Sequence, residues 1–170
     1  KYAIKVTQNN YTNTIQLGDI TQISGDQLPK IDLMIGGSPC TQFSFAGKQK
    51  GMVTTDNVEI TSLFKYLELK EQGFEFEGQS YLFWEYVRLL EKIKPRYFLL
   101  ENVRMDKKWE KIISDTLGVE PIYINSNLVS AQTRKRLYWT NIPVDGVPED
   151  KNISFSDISE DGRVCGAMRG

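Results

Sequence analysis

A chain of 170 residues, 40% hydrophobic and 25% charged, is long enough for one domain with its own core and too short to expect two. Its net charge of -1 is unlike that of a phosphate-tracking domain, so a nucleic-acid role would leave most of the duplex grip to another domain. The histidine count is 0, which excludes Ser-His-Asp hydrolases, Cys-His proteases and His-ligated zinc enzymes as usually built, and leaves chemistry to Cys, Asp, Glu, Lys, Arg or Tyr.

In chain order, residues 1–10 read as the tail of a helix with Tyr2 and Val6 on one face, and 13–17 as a short strand ending at Gly18-Asp19-Ile20. Residues 31–35 form an apolar run that stops at Gly36-Gly37-Ser38-Pro39, a buried strand feeding a loop. Residues 41–79, with Gly47, Gly51 and Gly73, read as a long polar lid or insertion. The strongest helix signal lies in 80–94, where Leu82, Tyr86, Leu89 and Ile93 recur at helical spacing before Pro95. A strand at 97–100 follows, with Glu101-Asn102 at its carboxyl end. Asp106 then caps a helix whose Trp109, Ile112, Ile113 and Leu117 share a face and which Gly118 ends. Residues 121–124 and 137–142 are further strand candidates. From Val144 the chain turns polar, and 163–170 shows no periodicity. The rhythm is βαβ, which implies a parallel-type sheet with helices on its faces. In such sheets ligands collect beyond the carboxyl ends of the strands, where Asp19, Cys40 and Glu101 all fall. The longest apolar runs are far too short to span a bilayer, and none of them reads as a signal peptide. Two cysteines, Cys40 and Cys165, cannot make a disulfide framework, so an intracellular, cytoplasmic location is the default.

Three features carry candidate chemistry. Cys40 follows Gly36-Gly37-Ser38-Pro39 directly after a buried strand. Glycines allow close approach of backbone to ligand, and Pro39 stiffens the path to the thiol. A rigid nucleophile fits that setting, although a free cysteine is more often a small buried hydrophobe. Glu101 follows an apolar strand, a partly desolvated setting suited to a proton donor, or equally to a cap or an ion pair. In Gln132-Thr133-Arg134-Lys135-Arg136 the two arginines alternate, so in extended chain they point to one side. There they could hold a carboxylate and a carbonyl oxygen together; a solvated basic run is the plain alternative.

Taken together and in this order, these elements resemble the cytosine-C5 DNA methyltransferases. Pro39-Cys40 resembles the nucleophile motif, Glu101-Asn102-Val103 the ENV motif, and Gln132-Thr133-Arg134-Lys135-Arg136 the Q-x-R-x-R motif. Gly18-Asp19-Ile20 resembles the adenine-contact motif, and Leu82-Phe83 the helix near the cofactor. Ser38-Pro39-Cys40 and Leu137-Tyr138-Trp139 lean towards the de novo eukaryotic branch and related bacterial and phage enzymes.

The resemblance implies an α/β fold, a Rossmann-like S-adenosylmethionine-dependent methyltransferase sheet incomplete at the N-terminus. Residues 1–143 would be a partial catalytic domain, and 144–170 the start of a target-recognition region or a linker. It implies Cys40 as nucleophile on cytosine C6, Glu101 at N3 and the exocyclic amine, Arg134 at O2, and Arg136 orienting Glu101. S-adenosylmethionine would be the cofactor, with Asp19 accepting from the adenine amine and Ile20, Pro39 and Leu82 lining its pocket. Double-stranded DNA would be the partner, with the base flipped out of the stack and no metal; a eukaryotic protein would be nuclear.

Departures from the family pattern are visible. Many members have Gln directly after the cysteine, whereas here Thr41 intervenes before Gln42. The family's Gly-rich first strand and its ribose-binding acidic residue are not in the sequence, so the polypeptide alone is expected to be inactive. Two rival readings share the motifs: a tRNA cytosine methyltransferase, and a non-catalytic regulatory relative. The loop after Cys40 does not resemble the tRNA branch, and non-catalytic relatives usually lose the cysteine, glutamate or arginines that stand here.

Overall fold

A computed structural model describes residues 2–43 and 50–159. Lys1, Gly47, Cys165 and the unpatterned 163–170 stretch lie outside the described residues.

The apolar run before Gly37 pairs as β1 (Leu33–Gly36), and the run after Pro95 as β2 (Tyr97–Val103). Along β2 half-buried and buried residues alternate, which turns Phe98, Leu100 and Asn102 to the packed face. With β3 (Ile122–Asn125) and β4 (Lys135–Thr140) they form one sheet in the order β1-β2-β4-β3. Only β1 and β2 run parallel, with Leu33 opposite Tyr97 and Gly36 opposite Leu100. Strand β4 is antiparallel to both β2 and β3, so the expected parallel-type sheet is corrected to a mixed one. The connections explain this. Helices α2 (Leu63–Glu71) and α3 (Leu82–Ile93) lie between β1 and β2, long enough for a crossover, whereas a helical turn at Ser126–Leu128 links β3 to β4 and the chain simply reverses.

The two strongest helices follow their sequence signals. Helix α3 ends where Lys94 takes a left-handed conformation (φ 49°) before Pro95. In α4 (Lys107–Leu117), Asp106 accepts from Lys108 N at 2.8 Å, and Gly118 (φ 70°) closes the other end. The core lies between the sheet face bearing Leu100, Leu137 and Trp139 and the helices bearing Trp84, Trp109 and Ile113. Each such side chain contributes about 1.5–3 kcal/mol by leaving water. The Trp139 indole N–H donates to Ser114 Oγ at 3.0 Å, so its burial strands no donor.

Two further expectations are corrected. Residues 13–17 form no strand: they have no sheet partner among the described residues, and Ile15 and Leu17 are exposed. The 41–79 stretch is not a bare polar loop. It contains α2, capped by Ser62, whose Oγ accepts from Lys65 N at 3.1 Å, and it sends Met52, Ile60, Tyr66 and Leu69 into the core. Helix α1 (Tyr2–Asn10) forms as expected but buries none of its residues. A short α5 (Phe155–Ile158) stands in the polar C-terminal stretch.

Candidate active site and cofactor pocket

The loop that carries Cys40 leaves β1 at Gly36. A Cβ there would stand 2.6 Å from two ring carbons of Tyr86, so the aromatic ring of α3 requires glycine at this position. One residue on, a Cβ at Gly37 would meet the Glu101 backbone oxygen and Oε2 at 3.4 Å, so the loop passes directly against Glu101. Asn102, buried on β2, donates through Nδ2 to Ser38 Oγ at 2.9 Å and to Ser38 O at 3.3 Å. Ser80, also buried, donates to Pro39 O at 3.0 Å and accepts from Gln42 N at 3.2 Å. Phe43 N bonds Cys40 O at 3.0 Å and closes the turn. The backbone around Cys40 is thus fastened on both sides, while the cysteine itself is half-buried and free. This reconciles the two readings of a lone cysteine: packing holds the loop, and the thiol keeps access.

Across β2, Arg136 Nε lies 2.7 Å from Glu101 Oε1, and an Arg134 terminal nitrogen lies 3.9 Å from the same oxygen. The alternation of the two arginines in the sequence therefore does bring both guanidinium groups to one carboxylate. Glu101 is a third exposed, which leaves its other oxygen open to a ligand. Arg134 is held through its backbone. Its N–H donates to Asn125 Oδ1 at 2.9 Å and its carbonyl accepts from Ser126 N at 3.1 Å.

On the other side of the loop, a cavity of about 190 Å³ is lined by Ile20, Pro39, Leu82, Tyr86 and the backbone of β1 and its glycines. Three of the four residues expected to hold a cofactor line it. Asp19, the fourth, is the neighbour of Ile20 and lies outside the lining. It caps the helical turn Ile20–Gln22, with Oδ1 accepting from both Thr21 N and Thr21 Oγ1 at 2.9 Å. These hydrogen bonds, the backbone one first, hold the Asp19 carboxyl below the usual carboxylate range.

Some contributors had no role assigned from sequence, Asn102 standing only as part of the Glu101-Asn102-Val103 motif. Asn102 and Ser80 act through distant backbone, which no local spacing reveals. Arg88 is a third. Its NH2 donates to Ile20 O at 3.1 Å and to Ile23 O at 2.7 Å, and so clasps the turn that follows Asp19. Its Nε is paired at 2.6 Å with Glu85, a carboxylate with no exposed side-chain surface that also accepts from Lys70 and Tyr66 at 2.5 Å. Burial pushes the Glu85 carboxyl up, but the bonds from Lys70, Tyr66 and Arg88 outweigh it and hold the group below its ordinary value. Burial and the bond to Glu85 raise Tyr66.

A cysteine loop and an arginine-paired glutamate at adjacent strand ends, beside an apolar pocket, place the fold among methyltransferases. Two solved structures show the same architecture. One is a DNMT2 mutant from Spodoptera frugiperda (TM-score 0.54, 18% identity, 95% of this chain and 50% of that one). The other is a protein described as a prophage-encoded DNA modification methyltransferase from E. coli (TM-score 0.53, 19% identity, 82% of this chain and 37% of that one). The family model for C-5 cytosine-specific DNA methylase matches residues 1–72 and 68–156, and the chain belongs to that family. Among curated relatives, the Type II methyltransferase M.NgoBV of Neisseria gonorrhoeae is 30% identical over 156 residues, covering 81% of this chain and 31% of that protein. The orphan methyltransferase M.Rho11sI of Bacillus phage rho11s is 28% identical over 164 residues, covering 89% of this chain and 28% of that protein. The chain spans about a third of the length of the curated relatives it matches. Among the described residues no helix is long and apolar enough to cross a membrane.

Proposed function

We propose that the protein methylates cytosine at C5 in double-stranded DNA, with Cys40 as the nucleophile. The observation that carries this reading is the Arg136–Glu101 pair at 2.7 Å, set against the Gly37 backbone of the Cys40 loop. A nucleophile, an acid and two cations beside one another are what a pyrimidine ring needs, and they are poorly suited to acyl transfer without histidine.

Cytosine C5 is a weak nucleophile. Addition of the Cys40 thiolate to C6 breaks the C5–C6 double bond and makes the ring enamine-like, with C5 electron-rich. Charge accumulates at N3, where Glu101 supplies a proton and its second oxygen accepts from the exocyclic amine. Arg134, only loosely near Glu101, holds O2; Arg136 keeps the carboxyl in place. Once C5 carries the methyl group, loss of its proton expels the Cys40 sulfur from C6 and restores the aromatic ring, and the N3 proton returns to Glu101. A base inside a duplex cannot present C6 to Cys40, so the cytosine must be flipped out.

The pocket beside the loop suits S-adenosylmethionine. Ile20, Pro39, Leu82 and the Tyr86 ring provide flat apolar walls for a purine, and Asp19 keeps Oδ2 as an acceptor for its amine. When bound, that cofactor supplies an electrophilic methyl group on a sulfonium sulfur. The residues of this chain set its orientation and keep water from the Cys40 side.

The test is a trapping experiment with the full-length protein, S-adenosylmethionine and duplex DNA carrying 5-fluorocytosine, in which fluorine cannot leave C5 as a proton. A denaturation-resistant adduct at Cys40, lost in Cys40→Ser, is the expected result. An adduct that persists in Cys40→Ser would overturn the nucleophile assignment, and an adduct on tRNA but not on duplex DNA would move the substrate to RNA.

A further inference from the structure

A second cavity, also of about 190 Å³, opens on the far side of Arg136 between Arg104, Tyr123, Ile124, Asn125 and Lys135. Its position is set by register. Lys135 stands opposite Asn125, Arg136 is opposite both Ile124 and Val103, and Arg104 directly follows β2. Three cationic residues at two adjacent strand ends line one opening, and no carboxylate among the described residues lines it.

The pairing of these groups is informative. On α4, Lys107, Lys108 and Lys111 each have a carboxylate partner, and with a net charge of -1 the chain has carboxylates to spare. Yet among the described residues neither Arg104 nor Lys135 makes an ion pair or side-chain hydrogen bond. Asn125 is oriented in the same sense. Its Oδ1 is taken by Arg134 N and Asn127 N, which leaves its amide NH2 as a donor facing the cavity. The Tyr123 wall is fixed in advance: its hydroxyl bonds Glu110 and Lys107, and the Lys107 ammonium sits 5.2 Å from its ring centroid. A cavity that presents donors and positive charge, with no acceptor side chain left free among the described residues, is built for an anion.

We propose that this cavity seats a phosphodiester of the DNA strand that carries the target cytosine, gripped by Arg104 and Lys135 with the Asn125 amide. This rests on the cytosine reading given above. Arg136 is the link: it lines the phosphate cavity and its guanidinium pairs with Glu101, so backbone seating and base placement share one residue. The cavity also answers the weak overall charge, because a single well-placed phosphate contact fixes register without a broadly basic surface.

The experiment measures duplex binding by the full-length protein against salt concentration, for wild type and Arg104→Gln/Lys135→Gln. Each neutralised phosphate contributes about 0.9 to the slope of log K against log salt. The double variant should bind about 10-fold more weakly, equally on target and non-target duplexes, with the slope shallower by about 1. Arg104→Lys/Lys135→Arg should keep the slope, which separates charge from folding. A duplex with one neutral methylphosphonate linkage, moved along the target strand, should weaken wild type at one position and leave the double variant unmoved there. If the double variant keeps wild-type affinity and slope while the 5-fluorocytosine adduct still forms, the phosphate site is wrong and the cytosine reading stands. If wild type neither binds duplex nor forms the adduct, both fail.

Discussion

Arg136 and Glu101 are partners across β4 and β2 without standing opposite each other. In the register Arg136 faces Val103, and Glu101 faces Tyr138; the guanidinium leans along the strand to bring Nε within 2.7 Å of Glu101 Oε1. If Arg136 fixes the carboxyl for proton donation, Arg136→Ala and Glu101→Gln should each lower the methylation rate at saturating substrate by about 100- to 1,000-fold, within the span of acid–base contributions. The double variant should be little worse than either single one, because both remove the same function. Single-turnover rates on duplex DNA test this. Additive losses would show that Arg136 acts independently of Glu101.

Arg88 offers a prediction about affinity rather than rate. Its two bonds to Ile20 O and Ile23 O hold the turn that carries Asp19 against α3. Arg88→Met keeps much of the apolar stem but drops both bonds. S-adenosylmethionine affinity, measured by calorimetry, should fall about 10-fold, the equivalent of one good hydrogen bond to a charged donor. Arg88→Lys, with a single point donor, should recover part of it. An unchanged affinity in Arg88→Met would show that the turn needs no clasp.

Glu85 gives the pH dependence. Its carboxyl is held below its ordinary value in the folded chain, so it is ionised when folded at pH values where the unfolded chain takes up a proton. Its contribution is therefore fully present above the usual carboxylate range of about 4.3 and is lost as pH falls through the lower folded value. Glu85→Gln should destabilise at neutral pH by about 2–3 kcal/mol, at the low side for a broken buried pair because Lys70 and Arg88 keep access to water. Urea unfolding between pH 7 and pH 3 should show the gap between wild type and Glu85→Gln narrowing towards the acid end. A constant gap would exclude the ionised carboxylate as the source.

The elements that sequence periodicity made legible are those whose apolar residues pack on one partner: α3, α4, and the strands around Leu100 and Leu137. The 13–17 stretch has strand-like residues but no neighbour to pair with, and pairing is not a property of a single segment. Helix α2 was hidden because Phe64 and Leu67 face outward while Tyr66 and Leu69 face inward, which blurs the helical stripe. At the site, the residues with distinctive chemistry (Cys40, Glu101, Arg134, Arg136) stood out. Their supports did not, because Asn102, Ser80 and Arg88 work through backbone atoms 38 to 68 positions away, and a contact of that range leaves no trace in spacing.

Asn102 is the support whose removal is most informative. It is buried, and its amide does three things at once: Nδ2 bonds Ser38 Oγ and O, and Oδ1 accepts from Val103 N at 2.8 Å. Asn102→Ala would leave those groups without partners in a buried site, at about 1–3 kcal/mol. Asn102→Asp keeps the acceptor for Val103 but aims an oxygen at the Ser38 carbonyl and buries a charge, so it should cost more than the alanine. Both variants should also free the loop. Iodoacetamide labelling mapped to the Cys40 peptide should speed up several-fold in Asn102→Ala under conditions where the protein stays folded. Labelling at the wild-type rate, with stability lowered as expected, would mean that Ser80 alone holds the Cys40 loop in place.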